Sequence, residues 1–358
     1  MSHSGVRNFG CRLTADATLA GHAIVVLEND LLRVTVLADK GSDIYEFLYK
    51  PLDIDFMWRS PNGLRRPGVT VPSAGGEAGF FMDFYEGGWQ EILPSGGPNT
   101  VYRGAPLGQH GEVSTIPWTV RIEQDEAERV AVSFRARAIR TPFLIEKTLA
   151  LERGSAILHL AERLTNEGDE PVDFMWGHHP ALGEALLDDS CVIHAPARTL
   201  AVHPGQLFET QRLAPGSHHP WPLATGHDGR TIDFSRVPGP AARVADMTYL
   251  TDLTAGWYGI TNQRRQVGFG MVFPHTVFPV IWYWLVARGG LGPPWWGRTY
   301  NLALEPWTSW PGTGLAEAVE HGQARRLGAG ESLAVEIKAL AYAGVESIHG
   351  IRPDGTIE

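Results

Sequence analysis

A chain of 358 residues, 43% hydrophobic and 20% charged, is long enough to bury a large core and too apolar to be a disordered chain. A formal net charge of −10, with no basic cluster beyond pairs such as Arg65–Arg66 and Arg325–Arg326, argues against a nucleic-acid partner, because an acidic surface repels phosphate. Two cysteines, Cys11 and Cys191, make no disulfide framework, and the sequence offers neither a secretory h-region nor an apolar stretch long enough for a membrane; a cytoplasmic location is expected.

In chain order, alternation and β-branched or aromatic enrichment predict short strands at 23–28, 32–38, 118–124, 129–136, 143–151, 156–164, 172–176, 268–273, 300–304 and 332–340. In the second of these, Leu32, Val34, Val36 and Ala38 fall on one face and Arg33 and Thr35 on the other, as a half-buried sheet requires. Turn-forming runs such as 151–155 and 166–169 separate the strands and suggest antiparallel hairpins. No helix longer than about two turns is predicted, and there is no dinucleotide or P-loop glycine pattern. The absence of a fixed repeat argues against a propeller. Residues 203–245, rich in Pro, Gly and His, read as a long excursion over the surface or the site. The expected fold class is all-β: one large antiparallel sandwich-like domain over residues 1–358.

Three segments place titratable groups beside residues that fix the backbone: GlnHisGly at 109–111, GlyHisHisPro at 177–180 and GluPro at 305–306. Proline holds its predecessor extended, so His179 and Glu305 are expected just past strand ends, at the mouth of a sheet. His110, His179 and Glu305 are therefore candidate acid–base residues. Each also has a plain structural reading, as a core or surface histidine or as the first solvated residue after an apolar strand. The His178–His179 pair could ligate a metal with His110 or Glu305, but adjacent strand residues point to opposite faces and no HExxH pattern occurs. No metal and no other cofactor is expected.

Seven of twelve tryptophans lie between Trp257 and Trp310. An indole presents a flat apolar face suited to a pyranose. Trp282 and Trp284 share a strand face and read as a mixture of core and wall. Trp295, Trp296 and Trp307 lie in loop-like sequence near Glu305 and are candidates for stacking on a sugar, with the core as the alternative.

The order of these segments resembles the aldose 1-epimerase (galactose mutarotase-like) superfamily. The strand after GluAsnAsp at 28–30 resembles its N-terminal signature, and GGWQEILPSGGP at 87–98 resembles its GG-x-x-x-x-x-P-x-x-G stretch. HGEVSTIPW at 110–118 is similar to the HGFAR-x-x-PW segment of hexose-6-phosphate 1-epimerases. HisPro at 179–180 and LALEP at 302–306 resemble the family's histidine and glutamate segments. The resemblance implies a β-supersandwich with a carbohydrate cleft and an isomerase that interconverts sugar anomers. In it Glu305 would be the general base, His179 the acid at the ring oxygen, and His110 a polarising group. These roles suit a carboxylate and an imidazole near neutral pH provided the cleft raises the histidine's affinity for its proton. His178, Gln90, Arg59, Trp296 and Trp307 are the candidates for binding the substrate.

Ser114 stands where the sugar-phosphate enzymes have arginine, which favours an unphosphorylated sugar. Arg59, Arg65, Arg288 and Arg298 nevertheless leave room for an acidic substituent, and HisProAlaLeuGly replaces the family's HPYFN. The family's substrate-binding aspartate could be Asp228, Asp233, Asp246 or Asp252. Two other functions remain open: a non-catalytic carbohydrate-binding protein, and a lyase or glycoside hydrolase in which Asp83, Glu86 or Glu91 is a second carboxylate. The expected partner is a small carbohydrate, with homodimerisation left open.

Overall fold

The computed structural model describes residues 7–70 and 79–358. Residues 32–37 illustrate how its strands arise. Leu32, Val34 and Val36 are fully buried, while Arg33 on the other face grips Glu46 of the neighbouring strand at 2.8–2.9 Å. Repeated along the chain, this period-2 pattern builds two large antiparallel sheets, one of twelve strands and one of eight. A continuous apolar core joins them, drawing on residues from Cys11 to Ala341. Helix is confined to short pieces, including the six-residue segments α1 (Gly79–Phe84) and α2 (Leu315–Glu320). No helix among the described residues is long and apolar enough to cross a membrane.

The centre of the larger sheet carries the features that matter for function. Its strands run in the spatial order β1 (Asp43–Tyr49), β2 (Trp89–Ile92), β5 (Gly177–Gly183), β8 (Tyr300–Trp307), β7 (Val280–Ala287) and β6 (Val244–Thr251). The smaller sheet contributes β3 (Phe143–Glu152) and β4 (Ile157–Asn166), paired in register from Phe143↔Asn166 to Leu151↔Leu158.

The sequence-predicted strands are present with small shifts of boundary, but two sites differ in kind. His179 and Glu305 do not follow strands; they lie inside β5 and β8, each of which continues through its proline. Proline has no N–H to give a ladder. The pairing of β5 with β8 accordingly lapses between Gly177↔Trp307 and Ala181↔Ala303. His179 and Glu305 face one another across that lapse.

Beneath the larger sheet, the opposite face of the same strands is also polar. Lys147 of β3 lies 3.4 Å from Glu91 of β2 and 3.2 Å from the Ser42 carbonyl. His178 of β5 lies 3.1 Å from Glu162 of β4, and Trp89 donates its indole N–H to His178 Nδ1 at 3.2 Å, which leaves the ring proton on Nε2, towards Glu162. Trp176 donates to Glu91. All four ionisable side chains are buried. Burial and the neighbouring Glu162 push Glu91 up to about 7.

Candidate active site

The cross-strand register aligns Gln90 of β2 with His179 of β5, and Trp282 of β7 with Glu305 of β8. Side chains on one row of a sheet share a face. His179 Nε2 and Glu305 Oε1 come within 3.5 Å. The second carboxylate oxygen, Oε2, accepts the Trp307 indole N–H at 2.9 Å. Trp307 in turn stacks on Trp282, with ring centroids 3.9 Å apart and planes 10° from parallel. This indole pair fits because Gly96, Gly177 and Gly312 lie against the rings; a Cβ at any of the three would enter them. Ser309 closes the arrangement by accepting the Trp282 N–H at 2.9 Å.

His110 enters from a loop in the left-handed conformation, at φ 59°. The PSGG turn holds it there: His110 N–H donates to the Gly97 carbonyl at 3.1 Å, and Gly97 N–H donates to His110 Nδ1 at 3.4 Å. Its ring packs on Phe81 and lies 5.6 Å from that of His179. Tyr85 places its hydroxyl 3.3 Å from His179 Nδ1.

These groups form the floor of a cavity of about 790 Å³, within the ~300–1,000 Å³ typical of small-molecule sites. Trp284 and Trp295 wall it, and α1, the 203–212 loop and the 288–299 loop surround it. No Lys or Arg among the described residues lines it; its acidic groups are Glu305 on the floor and the exposed Glu209 and Glu317.

Burial sets the protonation states. Glu305, out of water, is pushed up to about 8, against the pull of the Trp307 hydrogen bond. His179 is pushed down to about 4 by burial, opposed by a hydrogen bond to its own backbone carbonyl. Half-buried His110 moves in the same direction, from withdrawal from water and the nearby His179. A low-dielectric site favours the neutral form of each group. Near neutral pH burial therefore favours protonated Glu305 beside neutral imidazoles. This reverses the sequence expectation that the cleft raises the histidine's affinity for its proton.

Glu305, His179 and His110 all line the cavity; the five candidates for substrate binding do not. His178 points into the space between the sheets, so the histidine pair cannot hold one ion between its members. Its neighbours Glu91 and Glu162 are within ligand spacing of it, but the Lys147 ammonium already supplies a cation there. Gln90 shares the face of His179 yet is fully buried, bonding Gly87 and Glu86. Arg59 pairs with Asp55 and covers the Tyr45 ring. Trp296 is 62% exposed outside the cavity, and Trp307 is a buried strand residue that lies behind the site, against Glu305, His110 and Trp282.

Ser114 is buried with its carbonyl 3.4 Å from Lys40, and none of Arg65, Arg288 and Arg298 lines the cavity. Of the four aspartates, Asp246 is fully buried in an ion pair with Arg212, and none lines the cavity. The carboxylates considered as hydrolytic partners also lie elsewhere: Glu86 binds Lys40 at 2.8 Å, and neither Asp83 nor Glu91 lines the cavity. Sequence reasoning missed Tyr85, Asn99, Gln109 and His203. Gln109 lies within a recognised segment and Tyr85 two residues before another, whereas nothing near His203 marks it.

A family model described as a domain of unknown function, DUF4432, matches residues 20–340. The chain belongs to the DUF4432 family. This DUF4432 chain has the galactose mutarotase-like fold, as comparison with solved structures shows. A candidate aldose 1-epimerase from Klebsiella pneumoniae superposes with a TM-score of 0.71 at 15% identity, over 92% of this chain and 83% of that one. A galactose mutarotase-like protein from Clostridium acetobutylicum gives 0.62 at 12% identity, over 94% of this chain and 99% of that one. A galactose mutarotase-related enzyme from Lactobacillus acidophilus gives 0.58 at 15% identity, over 89% of this chain and 97% of that one. Comparison with curated proteins finds no match for this DUF4432 member.

Proposed function

We propose that this protein is an aldose 1-epimerase-like isomerase that interconverts the anomers of an unphosphorylated sugar. The observation that carries the reading is the pair Glu305 and His179, facing at 3.5 Å on the floor of an aromatic-walled cavity. Anomer exchange needs one proton delivered and one removed at oxygens a few ångströms apart, and this pair holds one acid and one base. The protonation states above support roles the reverse of those the resemblance implied. Protonated Glu305 donates to the ring oxygen, while neutral His179 takes the proton of the anomeric hydroxyl. The C1–O5 bond breaks with its electron pair going to O5, and C1–O1 becomes a carbonyl. Rotation about C1–C2 presents the other face. O5 then adds back to C1, its proton returning to Glu305 as the imidazolium gives its own to O1. The step is redox-neutral and each proton is restored.

The test is anomer exchange over a panel of free aldoses, followed by polarimetry and by NMR exchange. Acceleration of at least one sugar is expected; if every sugar mutarotates at its buffer rate, the reading fails. The pH profile should be bell-shaped, with activity lost below about 4 as His179 gains a proton and above about 8 as Glu305 loses one.

Trp307→Phe tests the indole's part in positioning. The Trp307 hydrogen bond lowers the affinity of Glu305 for its proton, so its loss should move the alkaline limb to higher pH. Loss of a bond to a group whose charge develops in the reaction should also reduce kcat by about 10–100-fold. An unmoved alkaline limb would remove Trp307 from this role.

A further inference from the structure

Beside the exposed acids Glu209 and Glu317, the outer part of the cavity carries an apolar surface. Leu207 and Leu291 are 51% and 40% exposed, and both line the cavity mouth, where Phe208, Pro293 and Pro294 extend the same apolar surface. Large apolar side chains left in water around a cavity mark a binding surface. The two loops that carry them are anchored. Thr210 Oγ1 donates to the Gly289 carbonyl at 2.8 Å, tying one loop to the other. Arg212 N–H and Nε bond both oxygens of fully buried Asp246 at 2.9 and 2.7 Å, rooting the first loop on β6. Trp295 in the second loop is buried against Trp58 and Trp284. The rim is therefore a fixed part of the site.

We infer that the sugar bound here carries an apolar acyl or aryl substituent on the ring edge opposite its anomeric carbon, and that Leu207, Phe208, Leu291, Pro293 and Pro294 form the subsite for it. The orientation rests on the proposed isomerase reading, which puts C1 at Glu305 and His179 and so turns the C4–C6 edge towards the mouth. Three features agree. The cavity, at about 790 Å³, is near the upper end of the ~300–1,000 Å³ range, and one pyranose does not fill it. An anionic substituent would meet Glu209 and Glu317 with no lining cation among the described residues. A second sugar ring would need polar partners for its hydroxyls, and the five subsite side chains offer none.

The experiment measures binding by calorimetry, and anomer exchange by NMR, for D-glucose, D-galactose and D-mannose, their 6-O-benzoyl esters and their 6-phosphates. At least one benzoyl ester is expected to bind about tenfold tighter than its parent, from burial of the phenyl ring. The 6-phosphate should bind no better than the parent. The double substitution Leu207→Ser, Leu291→Ser should abolish the difference between ester and parent. An ester that binds no tighter than its parent, or a gain that survives the double substitution, overturns the subsite. A phosphate that binds as tightly as the ester also overturns it. If free sugars are interconverted but the ester gains nothing, this inference alone falls. If esters bind tighter yet no sugar is interconverted, the isomerase reading falls and the apolar subsite stands.

Discussion

Glu305→Gln is expected to reduce anomer exchange by about 10²–10⁴-fold, the usual worth of a positioned acid or base, and yet to raise the melting temperature at neutral and alkaline pH. Both effects follow from burial. The amide keeps the shape of the carboxylic acid and can still accept the Trp307 N–H, but it cannot deliver a proton. The wild-type carboxyl is pushed from its ordinary value of 4.5 to about 8 in the folded protein. Between those two values the folded state holds a proton that the unfolded chain has released. Stability contributed below about 4.5 is therefore lost as pH rises towards 8. Glutamine does not titrate, so the variant should match the wild type near pH 4.5 and exceed it by on the order of 1–3 kcal/mol at pH 7. Thermal melts at several pH values read this directly. A variant that melts below the wild type at pH 8 would show that the buried carboxyl is not a destabilising acid.

Lys147→Met should destabilise the protein by about 3–5 kcal/mol, because it removes the ammonium from a buried cluster and leaves Glu91 and Glu162 with only His178 between them. Methionine fills nearly the volume of the lysine stem, so lost packing is a small part of the effect. Adding Glu91→Gln to Lys147→Met should recover most of the loss, since it removes the carboxylate nearest the missing ammonium. Urea unfolding of the two single variants and the double variant gives the coupling energy. If the single lysine change is neutral, the cluster is held by shared protons rather than by the ammonium. His178, on the far side of the cluster, adjoins His179 in the chain, so exchange rates in Lys147→Met report how firmly β5 is held.

The all-β sandwich was legible because period-2 alternation is written locally, as at Leu32, Val34 and Val36. The three residues that meet at the cavity, His110, His179 and Glu305, were legible because each stands beside a proline or glycine that constrains the backbone. What failed were inferences that needed the third dimension. His178 and Gln90 neighbour recognised residues in sequence, but pleat and depth decide what a side chain meets. His178 turns to the inter-sheet space, and Gln90, on the correct face, is sealed beneath the floor. Trp307 read as loop because a proline precedes it, whereas β8 runs through Pro306 where pairing with β5 has already lapsed. The protonation states were misread for the same reason: their direction depends on how completely the cavity excludes water. His203 comes to the cavity by a distant turn of chain, and no local pattern announces it.

The division of the site between strands and loops has a practical outcome. Glu305 and His179, the groups proposed to react, and the indoles behind them sit on adjacent strands held in register by β7 and β2. The mouth belongs to two loops tied to each other through Thr210 and Gly289. On the proposed reading, exchanging residues 203–212 and 288–299 together between members of this family should transplant what is recognised while leaving the acid–base pair in place. Moving either loop alone would cut the Thr210 tie. The two loops form one exchangeable cassette, and libraries built to redirect recognition should vary them as a unit.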